Sequence, residues 1–133
     1  MPIIQMPGGA VEELEGKELW WMRNAFDDEF KGTVMLRLGP SDRLFSIESL
    51  DDLAAKFRDE KTPLASFTPP EGKLKIVVNA KNVEKVEPAN PIIHHDKAKS
   101  VLRFTRRIKL AVRETEEVAN SKLKAAKKEP KTS

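Results

Sequence analysis

Between Leu102 and Val112, five of the six positions 102, 104, 106, 108, 110 and 112 are apolar, and only Arg106 breaks the run. Strict alternation of this kind lays one face of an extended chain on a core and turns the other to water. The β-branched Ile108 and Val112 favour the same pleated surface. An earlier stretch repeats the pattern, with Val34, Leu36 and Leu38 alternating against Thr33, Met35 and Arg37. Gly39, Pro40, Ser41 and Asp42 then supply turn chemistry, and Arg43 to Glu48 returns as a second strand.

Each of these hairpins runs into a helix signal. Ser49 is a candidate N-cap with Asp52 three residues on, and Leu50, Leu53, Ala54 and Phe57 fall on one helical face. In the later copy, Glu114, Thr115, Glu116, Glu117 and Val118 answer Glu48, Ser49, Asp51, Asp52 and Leu53 once Leu50 is skipped. Two degenerate hairpin-helix units are therefore expected. A second period competes with this reading. Val101, Phe104, Ile108, Val112, Thr115, Ala119 and Leu123 also fit one long C-terminal helix, with Lys99, Arg103, Arg106 and Arg113 on its other face. Strands are preferred up to Arg113, and the long helix is the alternative.

The remaining segments are less patterned. Residues 1–10 hold two Pro and two Gly without periodicity and read as a flexible arm. Val11 to Phe26 is read as helix, although Gly16 interrupts the stripe and Glu18 falls on the same face. TPLASFTPPEGK reads as a linker, Leu74 to Val78 as a strand, and Val83 to Glu87 as its neighbour until Pro88 stops the pairing. After Leu123 little apolar content remains, so 124–133 is expected as a basic mobile tail. The fold class that results is α+β. It is an antiparallel sheet of about six strands with two or three short helices on one side, forming a single domain over 11–123.

Composition bounds the function. A chain of 133 residues, 39% hydrophobic and 34% charged, suits one folded domain. With no cysteine there is no disulfide framework, thiolate zinc site or cysteine nucleophile. The start carries no early Lys or Arg and no uninterrupted apolar stretch, so no signal or transit peptide is expected. No segment reaches the roughly 20 apolar residues of a membrane span. A cytoplasmic location away from the membrane is the default expectation.

Candidate chemistry is thin. His94 and His95, the two histidines, are adjacent beside Asp96, and neighbouring side chains on an extended segment diverge, which makes a two-histidine metal clamp awkward. No serine stands in a GxSxG context, and Gly8 and Gly9 lack the rest of a phosphate loop. Asp27, Asp28 and Glu29 are not spaced like a calcium loop, while Asp51 and Asp52 suit the first turn of a helix without any metal. Glu71, Gly72 and Lys73 form a nuclease-like E-x-K triplet, but Glu15, Gly16 and Lys17 form another, as chance allows in a charged chain. No enzyme activity, metal or cofactor is expected.

Charge is the strongest functional signal. Residues 1–30 hold seven acids and two bases, 31–96 ten of each, and 97–133 twelve bases and four acids, so segments of −5 and +8 flank a neutral centre. Such poles steer charged partners or neutralise each other between copies. Arg103, Arg106, Arg107, Lys109, Arg113, Lys122, Lys124, Lys127 and Lys128 are the candidate phosphate contacts. Only Phe104 among them could stack on a base, which argues against single-strand readout. Trp20 and Trp21 should diverge, leaving one ring partly exposed as a partner anchor. The expected function is a non-enzymatic interaction protein, a regulator or assembly component, that binds another protein or itself through the acidic Trp-bearing end and the basic end. Nucleic-acid binding through the basic region is the alternative.

Overall fold

The computed structural model describes residues 3–24, 34–39, 42–70, 75–90 and 97–128. Along the chain run β1 (Ile3–Gln5), β2 (Val11–Glu13), β3 (Trp21–Asn24), β4 (Val34–Arg37), β5 (Arg43–Ser46), α1 (Leu50–Asp59), β6 (Leu64–Phe67), β7 (Ile76–Asn79), β8 (Lys85–Pro88), β9 (Ser100–Arg103), β10 (Lys109–Val112) and α2 (Glu116–Lys128). Short 3-10 turns at Gly16–Glu18 and Ala80–Asn82 precede β3 and β8.

Both hairpins that alternation singles out are present. β4 pairs with β5, Val34 opposite Ser46, and β9 pairs with β10, Ser100 opposite Val112. Each then enters a helix through a hydroxyl cap: Ser49 Oγ accepts from Asp52 N at 3.1 Å, and Thr115 Oγ1 accepts from Val118 N at 3.3 Å. These caps satisfy amide donors that have no partner within the helix. The long-helix alternative for 100–113 does not hold. Thr105 Oγ1 accepts from the amides of Arg107 and Ile108 and closes the second turn, so α2 begins only at Glu116.

The α+β, antiparallel character stands, but the expected single sheet of about six strands does not. Among the described residues the strands form sheets of two (β1-β2), three (β10-β9-β8) and five (β5-β4-β3-β7-β6), accompanied by two α-helices. Several expectations change with this. Val11 to Phe26 is not a helix. After β2 and a 3-10 turn it gives β3, which pairs with both β4 and β7. The presumed linker contains β6, and β7 pairs with β6 and β3 rather than with β8. The reason is local: Asn79 Oδ1 accepts from Lys81 N and starts a 3-10 turn instead of a hairpin, which carries the chain into the other sheet, where β8 meets β9.

The ends also differ from expectation. Residues 3–5 of the supposed loose arm are paired with β2, and Ile4 is completely buried. At the other end α2 runs on to Lys128, because Ala126 continues the buried face of Ala119 and Leu123. Residues 129–133 of the expected tail lie outside the described residues.

Two cores flank the central sheet. Ile4, Met22, Leu36, Leu53 and Phe57 belong to the first, joined by Leu64 and Val77 from the second half of the chain. Phe67, Ile76, Val78, Leu102, Phe104 and Leu123 belong to the second, joined by Trp21 from the first half. Strands β3 and β7 thus serve both cores, since successive side chains leave opposite faces of a strand.

Candidate functional site

Trp20 and Trp21 do not diverge into separate environments. Both rings reach Phe104: Trp20 stacks on it, centroids 5.4 Å apart and 6° from parallel, and Trp21 meets it at 5.1 Å and 45°. Phe104 stands at the start of the β9-β10 turn and can receive both because Trp20 lies just outside β3, where the alternation of the strand has not yet begun. Trp21 is only 8% exposed and Trp20 is half-buried. The two indoles join the halves of the molecule through Phe104, and of the pair Trp20 keeps part of its surface exposed.

The basic residues of the C-terminal region do not converge either. Arg103 pairs through Nη1 with Glu87 at 3.2 Å and through Nη2 with Glu84 at 3.6 Å. Lys109 and Lys85 reach the same Glu87 at 3.0 and 3.5 Å. With three cations around it, Glu87 is held below the ordinary carboxylate range, chiefly by the hydrogen bond from Lys109 and against a smaller upward push from burial. Arg113 donates from Nε and Nη2 to the Pro70 carbonyl, and Lys122 donates to the Ser66 carbonyl at 2.7 Å while pairing with Glu114. Arg106, Arg107, Lys124 and Lys127 remain exposed, the first pair at the β9-β10 turn and the second on α2; Lys128 closes that helix.

The acidic end is a different surface. Ile3 is 50% and Val11 57% exposed, and the register sets Ile3 against Glu13 and Gln5 against Val11, so all four side chains share the outer face of the β1-β2 hairpin. Ile47, 53% exposed, adjoins that face through the bond from its amide to the Gln5 carbonyl. Glu13 stands on this face, Glu12 lies behind it opposite the buried Ile4, and both are exposed, as are Glu15 and Glu18 further along the chain. Lys17, beside Glu15 at 3.0 Å, is a proton-retaining cation in their midst: the hydrogen bond to Glu15 raises its pKa. No periodicity in the sequence marks this site, because strands of three residues are too short to show one.

Two shallow clefts lie elsewhere. One of about 240 Å³ is bordered by Glu15, Lys17, Lys61, Thr62 and Lys81, and one of about 260 Å³ by Ser66, Lys122 and Ala125 between β6 and α2. Among the described residues no group of three His, Asp or Glu side chains is placed to share a metal ion, and no helix is long and apolar enough to cross a membrane. Asp51 serves the first turn of α1 and pairs with Lys75 at 3.2 Å. His94, His95 and Asp96, the Asp27–Glu29 cluster and the Glu71–Lys73 triplet lie outside the described residues.

Fold and surface together define a mixed α+β protein with an acidic, partly apolar hairpin at one end. Comparison with protein-family profiles, curated proteins and solved structures finds no match.

Proposed function

We propose that this chain is a non-enzymatic interaction protein, a cytoplasmic regulator or assembly component, whose acidic N-terminal hairpin docks another protein. The observation that carries the reading is the co-location of Ile3, Val11 and Ile47, each about half exposed, on a hairpin whose second strand carries the exposed Glu12 and Glu13. Apolar side chains left in water beside charged ones have the anatomy of a docking surface. The hairpin takes the leading docking role, with the partly exposed Trp20 as a second contact of the same acidic N-terminal segment. The same reading treats residues 3–59 and 64–128 as two related copies of one unit, larger than the hairpin-helix pair alone.

A photo-crosslinking residue placed at Val11 in the native cell tests this. Discrete protein adducts are expected there, lost on Ile3→Glu and absent when the crosslinker stands at Lys124. Absence of adducts at Val11 overturns the reading. The nucleic-acid alternative keeps one support, the exposure of Arg106, Arg107, Lys124 and Lys127.

A further inference from the structure

Resting on the hairpin as docking surface, we propose that its partner is an extended, basic segment of another protein that adds a strand to the edge of β2 that no described strand occupies. The argument comes from comparing β2 with β7. β1 pairs with β2, Ile4 opposite Glu12, as β6 pairs with β7, Phe67 opposite Ile76. A 3-10 turn follows each pair, then a three-stranded antiparallel meander (β3-β4-β5 or β8-β9-β10) and a helix. The first strand of each half also accepts a backbone bond from the segment leading into that helix, Ile47 N to Gln5 O at 3.0 Å and Arg113 N to Thr68 O at 2.8 Å. β2 and β7 are equivalent strands of equivalent units.

They differ in how their second edge is used. β7 gives it to β3, with Trp21 opposite Val78 and Arg23 opposite Ile76. Among the described residues β2 pairs with β1 alone, and all three of its residues are exposed. A strand with one edge open presents its backbone donors and acceptors as a template for another strand. The unit already uses that edge once, so strand addition there needs no rearrangement of the fold.

Side chains define the occupant. β7 carries Ile76, Val77 and Val78, suited to permanent burial, whereas the equivalent positions on β2 and beyond it are Glu12, Glu13 and Leu14, followed by Glu15 and Glu18. A strand lying against β2 is favoured when it places Lys or Arg opposite Glu12, and its alternate apolar residues then lie on the outer face beside Val11. A second copy of this chain does not fit. The strand equivalent to β3 is β8, and in the register of the β3-β7 pair Glu87 would face Glu12, while Pro88 has no amide to donate.

Three capped hexapeptides added to the full-length protein, followed by amide NMR shifts, test the proposal: alternating Lys and Val, alternating Glu and Val, and the Lys-Val peptide N-methylated at every second residue. The Lys-Val peptide is expected to bind with shifts centred on residues 11–14, the Glu-Val peptide not to bind, and N-methylation or the double variant Glu12→Lys, Glu13→Lys to weaken binding at least tenfold. Binding that ignores N-methylation, shifts centred elsewhere, or no binding of the Lys-Val peptide overturns strand addition. Adducts at Val11 in the cell that the Lys-Val peptide cannot displace would leave the docking surface standing and remove only this partner; absence of adducts removes both.

Discussion

Glu114 holds the second half of the chain as Glu48 holds the first. Glu48 accepts from the Gln5 amide at 3.0 Å and pairs with Lys56, whose ammonium also donates to the Ile3 carbonyl at 2.8 Å. Glu114 accepts from the Thr68 amide at 3.0 Å and its hydroxyl at 3.1 Å and pairs with Lys122, which donates to the Ser66 carbonyl. Each carboxylate stands just before a helix cap and pins the first strand of its half to the rest. Glu114→Ala strands the Thr68 donors in a half-buried site and should cost about 2 kcal/mol, with Glu114→Gln recovering part of it as a neutral acceptor. Urea unfolding monitored by circular dichroism measures both; equal stability of Glu114→Ala and the parent would refute the clasp.

Gly16 is required by a close approach rather than by an unusual backbone angle. A β-carbon built on it lands on Thr62 Oγ1, so the buried threonine side chain has to shift before any larger residue fits. Asn79 Nδ2 holds the Gly16 carbonyl at 3.1 Å and fixes the approach. Gly16→Ala is expected to destabilise by roughly 1–3 kcal/mol through overpacking. Because the clash is with one side chain, Thr62→Ala in the same molecule should restore about half of the loss. A double-mutant cycle in urea shows this as a coupling of about 1 kcal/mol or more; strict additivity would place the strain elsewhere.

What the sequence discloses depends on how many residues each element has in which to repeat. The β4-β5 and β9-β10 hairpins are legible because apolar residues recur at alternate positions around turn residues and Ser49 and Thr115 stand at the right distance from the apolar faces that follow, although burial itself does not alternate along β4 or β9. β3 is not, because Trp21 enters one core and Met22 the other, which removes the alternation a half-buried strand would show. β6 hides between Pro63 and Pro69, whose turn signals outweigh four residues of strand. The basic run looked like one site because its charges are close in sequence. In space Arg103 and Lys109 meet Glu87, while Arg113 and Lys122 tie the end of β10 and α2 back to the segment around β6. Two acids distant in sequence, Glu84 and Glu87, are what a linear reading could not bring to Arg103 and Lys109.

Phe104 is the joint between the halves, so its removal has an optical signature. Phe104→Ala takes away the stacked partner of Trp20 and the tilted partner of Trp21 and should cost about 3–5 kcal/mol if the fold does not relax around it. Tryptophan emission, reporting on both indoles together, is expected to shift to the red under native conditions, and the near-ultraviolet circular dichroism to weaken. Phe104→Leu separates packing from ring stacking: it should recover most of the stability and little of the dichroism.

Arg106, Arg107, Lys124 and Lys127 are exposed candidates for phosphate contact. If Arg106, Arg107, Lys124 and Lys127 all engage duplex DNA, the slope of log K against log salt is about −3.6. Weak binding that disappears by physiological salt is expected, and Arg106→Glu with Arg107→Glu should abolish it. A slope steeper than about −6 would require cations beyond these four, such as the exposed Lys99, to take part.

Glu87 gives the fold a pH dependence of fixed sign. Hydrogen bonds from Lys109 and Arg103 and the nearby charge of Lys85 favour its ionised form, so its folded pKa lies below that of the same glutamate in the unfolded chain. The stabilisation it supplies is complete above the unfolded value and is lost as pH falls through the folded one. Glu87→Gln should therefore melt below the parent at neutral pH, and the gap should close in acid beneath the usual glutamate range. The side-chain carboxyl carbon of Glu87, followed by NMR, is expected to titrate below the ordinary glutamate value. A gap that persists unchanged in acid would show that Glu87 acts through its shape and not through its charge.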